Sequence, residues 1–221
     1  MIDREALRLC ALTPREAMAL QRQAAAWVEP VDRLSGIHTV AAIDLGFPRR
    51  DRCRAAVVLC DWPELQPIDS ICAESPVEFP YVPGLLSYRE VPAAWAALQR
   101  LRHQPDLLLC DGHGVAHPRR FGLACHLGVL CDLPSIGVAK SRLIGQFTPP
   151  GTGRGERTPL LDGAEQIGTV LRSRTGVSPL FVSIGHRVSL PTAVDLVLAT
   201  CRRYRLPEPA RLAHRLASAR N

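Results

Sequence analysis

One segment of the chain has the pattern of a strand that is buried on both faces, and an acidic, glycine-containing loop follows it directly. Leu107 to Cys110 form a continuous apolar run, as in the central strands of α/β sheets. Asp111 ends the run, and Gly112 and Gly114 allow a sharp turn and close approach of a ligand to the backbone. Open α/β sheets bind ligands at this end of their strands. A plain turn or helix-cap role for Asp111 is the alternative, since Asp before Gly is common in loops.

The loop after Asp111 is rich in cations and hydrogen-bond donors. His113, His117, Arg119 and Arg120 lie within nine residues of the aspartate. A zinc site is one alternative for the two histidines. They lack the glutamate of the HExxH motif and lie in a glycine-rich loop rather than on a helix, which disfavours zinc.

Length and composition predict a globular protein. The chain has 221 residues, which favours one domain over residues 1–221, with two small domains as the alternative. Residues 1–10 lack a signal-peptide core, and there is no apolar run of membrane-spanning length, so we expect a cytoplasmic protein without membrane association. The eight cysteines form no CxxC pair, which favours reduced thiols in the core.

The charge balance is compatible with a polyanionic partner. The formal net charge is +6, with 27 basic and 21 acidic residues. Lys140 is the only lysine in the sequence. Because the chain otherwise uses arginine for its permanent cations, Lys140 is a candidate for a compact ammonium near a phosphate or metal, with chance retention as the alternative.

Further acids and a loop complete the candidate site. Asp44 lies inside a predicted strand, Thr39 to Leu45, where a carboxylate needs a cation, a metal or a proton; pairing with an arginine is the structural alternative. Two prolines and a glycine make residues 80–86 a rigid loop that displays Tyr81. Such a loop can hold an aromatic ring in position to stack between bases. The alternative is that Tyr81 packs on the core. Glu90 lies at the head of a helix predicted from about Pro92 to Leu101, where it has either a catalytic role or a helix-dipole role.

The remaining pattern predicts the order of the elements. A capping box at Thr13 to Glu16 begins a helix that docks on the core. The predicted strands are Thr39 to Leu45, Ala55 to Cys60, Ile68 to Ala73, Leu107 to Cys110, Thr169 to Arg172 and Leu180 to Ile184. We also expect a surface loop from Gly145 to Glu156 and a helix from Ser189 to about Tyr204. A last, basic helix carries His214, which on pattern alone is a solvated residue.

Short connections between the first three strands favour an antiparallel meander. The order of all the elements predicts a mixed sheet in which the first and fourth strands are neighbours and bring Asp44 and Asp111 together. Two converging carboxylates repel each other, and a divalent metal removes that repulsion. Carboxylate oxygens favour Mg²⁺ or Mn²⁺ over Zn²⁺. Lys140, after the following strand, would add positive charge to the same centre.

Several motifs together resemble the endonuclease V family, the deoxyinosine-specific repair nucleases. These motifs are FPYVPGLLSYRE, PDLLLCDGHGVAHPRRFGLACHLGVL, LPSIGVAKSRL, GHRVS and YRLPEPARLAH, and the resemblance runs from about Val40 to His214. It implies an α/β, ribonuclease H-like fold, a mixed β-sheet flanked by α-helices.

The resemblance also implies site residues. Asp44 and Asp111 match the metal-binding aspartates, Glu90 a third active-site acid and Lys140 an active-site lysine. His214 matches a position near the metal where the family has either His or Asp, so its role stays open. Tyr81 matches the wedge that separates the base pair, and the pocket for the flipped hypoxanthine is implied to include Gly84, Leu86, Gly112, Gly122 and Leu123, with His117 in the pocket or beside the phosphate.

The reaction implied is hydrolysis of the second phosphodiester bond 3′ of deoxyinosine, leaving 3′-hydroxyl and 5′-phosphate ends. The cofactor would be Mg²⁺, with Mn²⁺ also active, and the partner deoxyinosine-containing DNA or inosine-containing RNA, bound by a monomer. Two rivals are another ribonuclease H-like nuclease, which would prefer branched DNA, and a non-catalytic nucleic-acid binder. The intact set Asp44, Glu90, Asp111 and Lys140 argues against the second.

Overall fold

The structure, a computed structural model, describes Leu7 and residues 12–218. Cys10 and most of the first ten residues therefore lie outside the described residues. Within them, eight strands form one sheet flanked by five α-helices. In chain order these are α1 (Pro14–Ala24), β1 (Thr39–Arg49), β2 (Arg52–Asp61), β3 (Pro67–Pro76), α2 (Ser87–Leu98), β4 (Leu107–Cys110), α3 (Leu123–Cys131), β5 (Ser135–Ala139), β6 (Arg157–Asp162), β7 (Glu165–Leu171), β8 (Leu180–His186), α4 (Leu190–Thr200) and α5 (Glu208–Ser218).

The sheet is mixed, and its strand order is β3-β2-β1-β4-β5-β8-β7-β6. β1, β2 and β3 pair antiparallel, which confirms the predicted meander. β1 pairs with β4 and β4 with β5 in parallel. The predicted neighbourhood of the first and fourth strands is therefore confirmed, and their register places Ile43 opposite Cys110.

The central strands are buried on both faces, as the apolar run Leu107 to Cys110 predicted. In β1, Ala41 and Ile43 pack in the core under α2 and α3, whereas Val40 and Ala42 pack in the core under α4 and α5. This alternation follows from the two-residue period of a strand. It places Asp44 on the α5 side of the sheet, since residue 44 continues the series 40, 42.

Several predicted boundaries were wrong. The helix predicted to start at about Pro92 starts at Ser87, because turns at Leu85 and Leu86 already begin the helical path and Pro92 is accommodated inside α2. The helix predicted to reach Tyr204 ends at Thr200, since Cys201 leaves the helical conformation. β6 was not predicted, because its side chains are mostly exposed and its sequence lacks an apolar run.

The cysteine prediction holds in part. Cys53, Cys60, Cys110, Cys125 and Cys201 are buried free thiols. Cys72, however, is exposed on β3, so it is not a core residue. Among the residues that the structure describes, no helix is long and apolar enough to cross a membrane.

Gly114 gives a test of this packing. A Cβ atom there would lie well inside contact distance of the Ile184 backbone oxygen, which cannot move without disturbing β8. We expect Gly114→Ala to destabilise the protein by about 1–3 kcal/mol or more in urea denaturation. Gly46→Ala is the matched control, because no atom lies within 4 Å of its Cβ position; equal stability losses for the two variants would contradict the close approach at Gly114.

Candidate active site

Three neighbouring parallel strands carry polar side chains to one edge of the sheet. Asp44 lies in β1, Asp111 follows β4 directly, and Lys140 follows β5 directly. The Asp111 amide donates a hydrogen bond of 3.1 Å to the Ile43 carbonyl, so the parallel ladder extends up to the two acids. The carboxyl ends of parallel strands are the usual place for a functional site in such a sheet.

Each aspartate of the pair has one cationic or basic neighbour. Asp44 Oδ2 lies 2.9 Å from His214 Nδ1 of α5, and the Lys140 ammonium hydrogen-bonds Asp111 Oδ2. Burial raises the pKa of Asp44, and the nearby Asp111 raises it further, while His214 and Lys140 act in the opposite direction. The two carboxylates therefore still favour additional positive charge between them.

The residues present fit a divalent metal ion. Ligand atoms of Asp44, Asp111 and His214 all lie within 4.8 Å of one another. Two carboxylates and one imidazole are ligand types that divalent metal ions accept in proteins. His214 is thus placed beside an acid, although its side chain is 53% exposed and the pattern of its helix alone predicted a solvated surface residue.

Glu90 projects from the first turn of α2 towards the same centre. It is only 8% exposed. Burial raises the pKa of Glu90 to about 8, with further contributions from Asp111 and Asp44. Glu90 is thus a carboxyl that is easily protonated near neutral pH unless a cation joins the cluster.

A cavity of about 260 Å³ opens directly beside these acids. Glu90 and Asp111 lie in its wall, so the cavity and the charged cluster share residues. All seven residues predicted to bind substrate line it: Tyr81, Gly84, Leu86, Gly112, His117, Gly122 and Leu123.

The loop at the mouth of the cavity is a tight turn. The Leu85 amide donates to the Val82 carbonyl at 2.9 Å, with Pro83 and Gly84 in the central positions and Gly84 at φ +77°. This is the pattern of a type II turn, which needs a positive φ at its third residue. Tyr81, directly before the turn, is 70% exposed, so it does not pack on the core.

Comparison with known proteins decides the family. The family model described as Endonuclease V matches residues 22–215. The chain is 53% identical over 203 residues to Endonuclease V of Roseiflexus castenholzii, covering 92% of this chain and 91% of that protein. The chain belongs to the Endonuclease V family. This confirms the prediction that it is a DNA-cleaving endonuclease, a phosphodiester hydrolase.

Solved structures of the family have the same fold. The Endonuclease V structure from Streptomyces avermitilis superposes with a TM-score of 0.88 at 45% identity, over 93% of this chain and 91% of that chain. Endonuclease V of Ciona intestinalis, in complex with a DNA containing an inosine followed by a ribo-adenosine, gives a TM-score of 0.81 at 26% identity, over 93% and 97%. The predicted ribonuclease H-like fold is confirmed.

Sequence reasoning missed three residues of the cavity wall. Leu143, Ser87 and His113 also line the cavity but were not predicted to. The zinc alternative is not supported for His117, because its Nε2 lies 3.0 Å from the Gly84 carbonyl oxygen. Within the described part of the chain, neither His113 nor His117 belongs to a group of three potential metal ligands.

The raised pKa of Glu90 gives a prediction for the metal-free protein. The folded state keeps the proton that the unfolded chain releases above its ordinary pKa of 4.5, so stability should fall as the pH rises from 4.5 to about 8. Glu90→Gln removes this titration. In EDTA, we expect its stability relative to wild type to rise by about 2–4 kcal/mol between pH 4 and pH 7, since one pKa unit corresponds to about 1.4 kcal/mol.

Urea denaturation across this pH range measures the effect, and Glu78→Gln, in an exposed loop, serves as the control. Parallel pH profiles for wild type and Glu90→Gln would show that burial does not perturb Glu90.

Proposed function

We propose that this endonuclease hydrolyses DNA at deoxyinosine, with Mg²⁺ as its cofactor, at the second phosphodiester bond 3′ of the lesion. The observation that carries the proposal is the direct contact between two features: a cavity beside an exposed aromatic wedge, and a cluster of two aspartates, a glutamate and a lysine. The inosine in the Ciona intestinalis complex supports the same choice of lesion.

The cavity and Tyr81 suit a base that leaves the stack. Flipping is cheapest for a weakly paired base such as hypoxanthine, and an exposed ring on a stiff loop fills the gap that the base leaves. The cavity wall contains glycines at positions 84, 112 and 122, which place backbone rather than side-chain atoms beside the cavity. Backbone amides and carbonyls can read the edge of hypoxanthine and reject adenine, whose amino group presents a donor where an acceptor is needed.

The acidic cluster suits hydrolysis of a phosphodiester. Asp44 and Asp111 would hold a divalent ion, with His214 beside Asp44 as a further ligand or as the residue that fixes that carboxylate. When bound, the ion supplies Lewis acidity and a water that is more easily deprotonated. Lys140, which contacts Asp111, directs positive charge towards the phosphate, and Glu90 is placed to orient water or to take a proton.

One chain provides every group of this site, so we propose that a monomer is sufficient for activity. Inosine-containing RNA is the second candidate substrate, because the features described above recognise the base and the phosphate rather than the sugar. A general nuclease for branched DNA is the rival within the fold, and a cavity sized for a single base argues against it.

The first experiment tests the lesion preference, the metal dependence and the position of cleavage in one assay. A labelled duplex with one deoxyinosine is incubated with Mg²⁺ or with EDTA, beside an undamaged duplex, a branched duplex and an inosine-containing RNA. We expect one Mg²⁺-dependent nick at the second bond 3′ of deoxyinosine. Equal cutting of the damaged and undamaged duplexes, or preference for the branched one, would contradict the proposal.

Asp111→Asn tests the metal assignment. The variant keeps the size of the side chain but loses the charge that holds the cation, so we expect cleavage to be lost while the affinity for the inosine duplex changes little. Gel-based cleavage and fluorescence anisotropy measure the two quantities separately. Asp195→Asn is the control, because Asp195 is an exposed residue of α4 and does not line the cavity. Full Mg²⁺-dependent activity of Asp111→Asn would exclude Asp111 as a metal ligand.

Tyr81→Ala tests the wedge. We expect it to weaken binding of the inosine duplex by about 1–3 kcal/mol, the scale of one lost base stack, without loss of folding stability. Tyr204→Ala is matched, since Tyr204 is also a partly exposed tyrosine but lies outside the cavity wall. Unchanged affinity of the Tyr81 variant would remove this residue from the wedge role.

A further inference from the structure

The carbonyl oxygen of Gly84, in the turn next to Tyr81, accepts hydrogen bonds from three side chains. Gln21 Nε2 lies 3.1 Å away, His117 Nε2 3.0 Å and Arg119 Nη2 2.6 Å. The amide on the other side of the same peptide unit, Leu85 N–H, donates to Val82. The peptide unit between Gly84 and Leu85 is therefore held at both ends.

The three donors are fixed by one another. The Gln21 side chain also donates to the Phe121 carbonyl at 2.9 Å and accepts from Arg119 Nε at 2.5 Å, so both ends of its amide are used. The Arg119 backbone amide donates to His117 Nδ1 at 3.2 Å, which leaves the proton of the neutral imidazole on Nε2, facing Gly84. Burial lowers the pKa of His117 to about 4, in agreement with a neutral ring.

The first helix supports the same loop through apolar contacts. Ala17 of α1 packs in one buried cluster with Phe79, Leu85 and Tyr88, which flank the turn on both sides. Tyr88 Oη donates to the Ala17 carbonyl at 3.0 Å. Gln21 lies one helical turn after Ala17, so α1 contacts the loop at two successive turns.

Gln21 is not explained by packing alone. It is fully buried, at 0% exposure, on a helix face that also contains Ala17 and Ala24. Burying an amide is unfavourable unless its groups are paired, and an apolar side chain would fill the same space without that requirement. What the amide adds is a directional connection between Arg119 and the Gly84 carbonyl.

We propose that Gln21 and Arg119 are positioning residues that hold the Tyr81 loop in the conformation that engages the lesion. This inference rests on the proposed function, because it assigns these two residues to the use of Tyr81 as a wedge. Neither residue needs to touch the substrate. Their contribution is preorganisation, since a loop that is already fixed loses less conformational freedom when DNA binds.

A double-mutant cycle with Tyr81 tests the proposal. Gln21→Met keeps the volume of the side chain but removes the amide, and Gln23→Met, at an exposed position of the same helix, is the matched control. Affinities for the inosine duplex and the undamaged duplex are measured by anisotropy in EDTA, single-turnover cleavage is measured in Mg²⁺ at saturating enzyme, and melting temperatures report folding. Arg119→Lys keeps the charge but not the planar guanidinium, and serves as a second variant if Gln21→Met folds poorly.

We expect Gln21→Met to weaken binding of the inosine duplex by about tenfold, with a smaller change in the saturated cleavage rate and little effect for Gln23→Met. Tyr81→Ala should then cost clearly less affinity in the Gln21→Met background than in wild type, since the loop is no longer held. A purely structural role predicts a lower melting temperature with independent, additive effects of the two substitutions, and that result would overturn the proposal. Failure of wild type to cut or to prefer the inosine duplex would instead refute the proposed function.

Discussion

The repulsion between the Asp44 and Asp111 carboxylates is the interaction on which the site depends. The parallel pairing of β1 with β4 brings them together, and apolar residues on both faces of these strands fix that register. A one-residue slip would turn every core side chain to the wrong face. The packing free energy of the sheet thus holds two acids in a position that they would not adopt alone, and His214 and Lys140 partly balance their charge.

The same constraint explains why the cavity and the charged cluster adjoin. α2 packs on the face of the sheet beside Asp111, and its first turn contributes Glu90 to the acids, while the residues just before it form the turn that carries Tyr81. The cavity is therefore at a fixed distance from the Asp44 and Asp111 carboxylates. In the proposed function, this fixed geometry between the cavity and the acids would favour a defined cleavage position over random cutting.

Sequence patterns predicted the features that depend on local periodicity and on the order of the strands. The apolar run before Asp111 predicted β4, the short connections predicted the meander, and the order of the elements predicted the meeting of Asp44 with Asp111. The contact between His214 and Asp44 spans 170 residues and depends on how α5 packs across β1 and β2, so the helix pattern alone could not show it. Gln21 was missed for a similar reason: its place between Ala17 and Ala24 on a buried helix face was a signal, but its partners come from two distant loops.

The acidic cluster and the Tyr81 loop differ in how well their polar groups are satisfied. The cluster is unfavourable without added positive charge, whereas the loop is held by more hydrogen bonds than one conformation requires. In the acidic cluster, burial raises the pKa values of Asp44 and Glu90, so charge on these groups opposes folding until a cation binds. Any ion that binds only the folded state then adds to its stability. In the Tyr81 loop, by contrast, the peptide unit between Gly84 and Leu85 has four hydrogen bonds. In the proposed function, this difference has a use: the cluster would favour a metal ion, whereas the loop would present Tyr81 in one conformation before the DNA arrives.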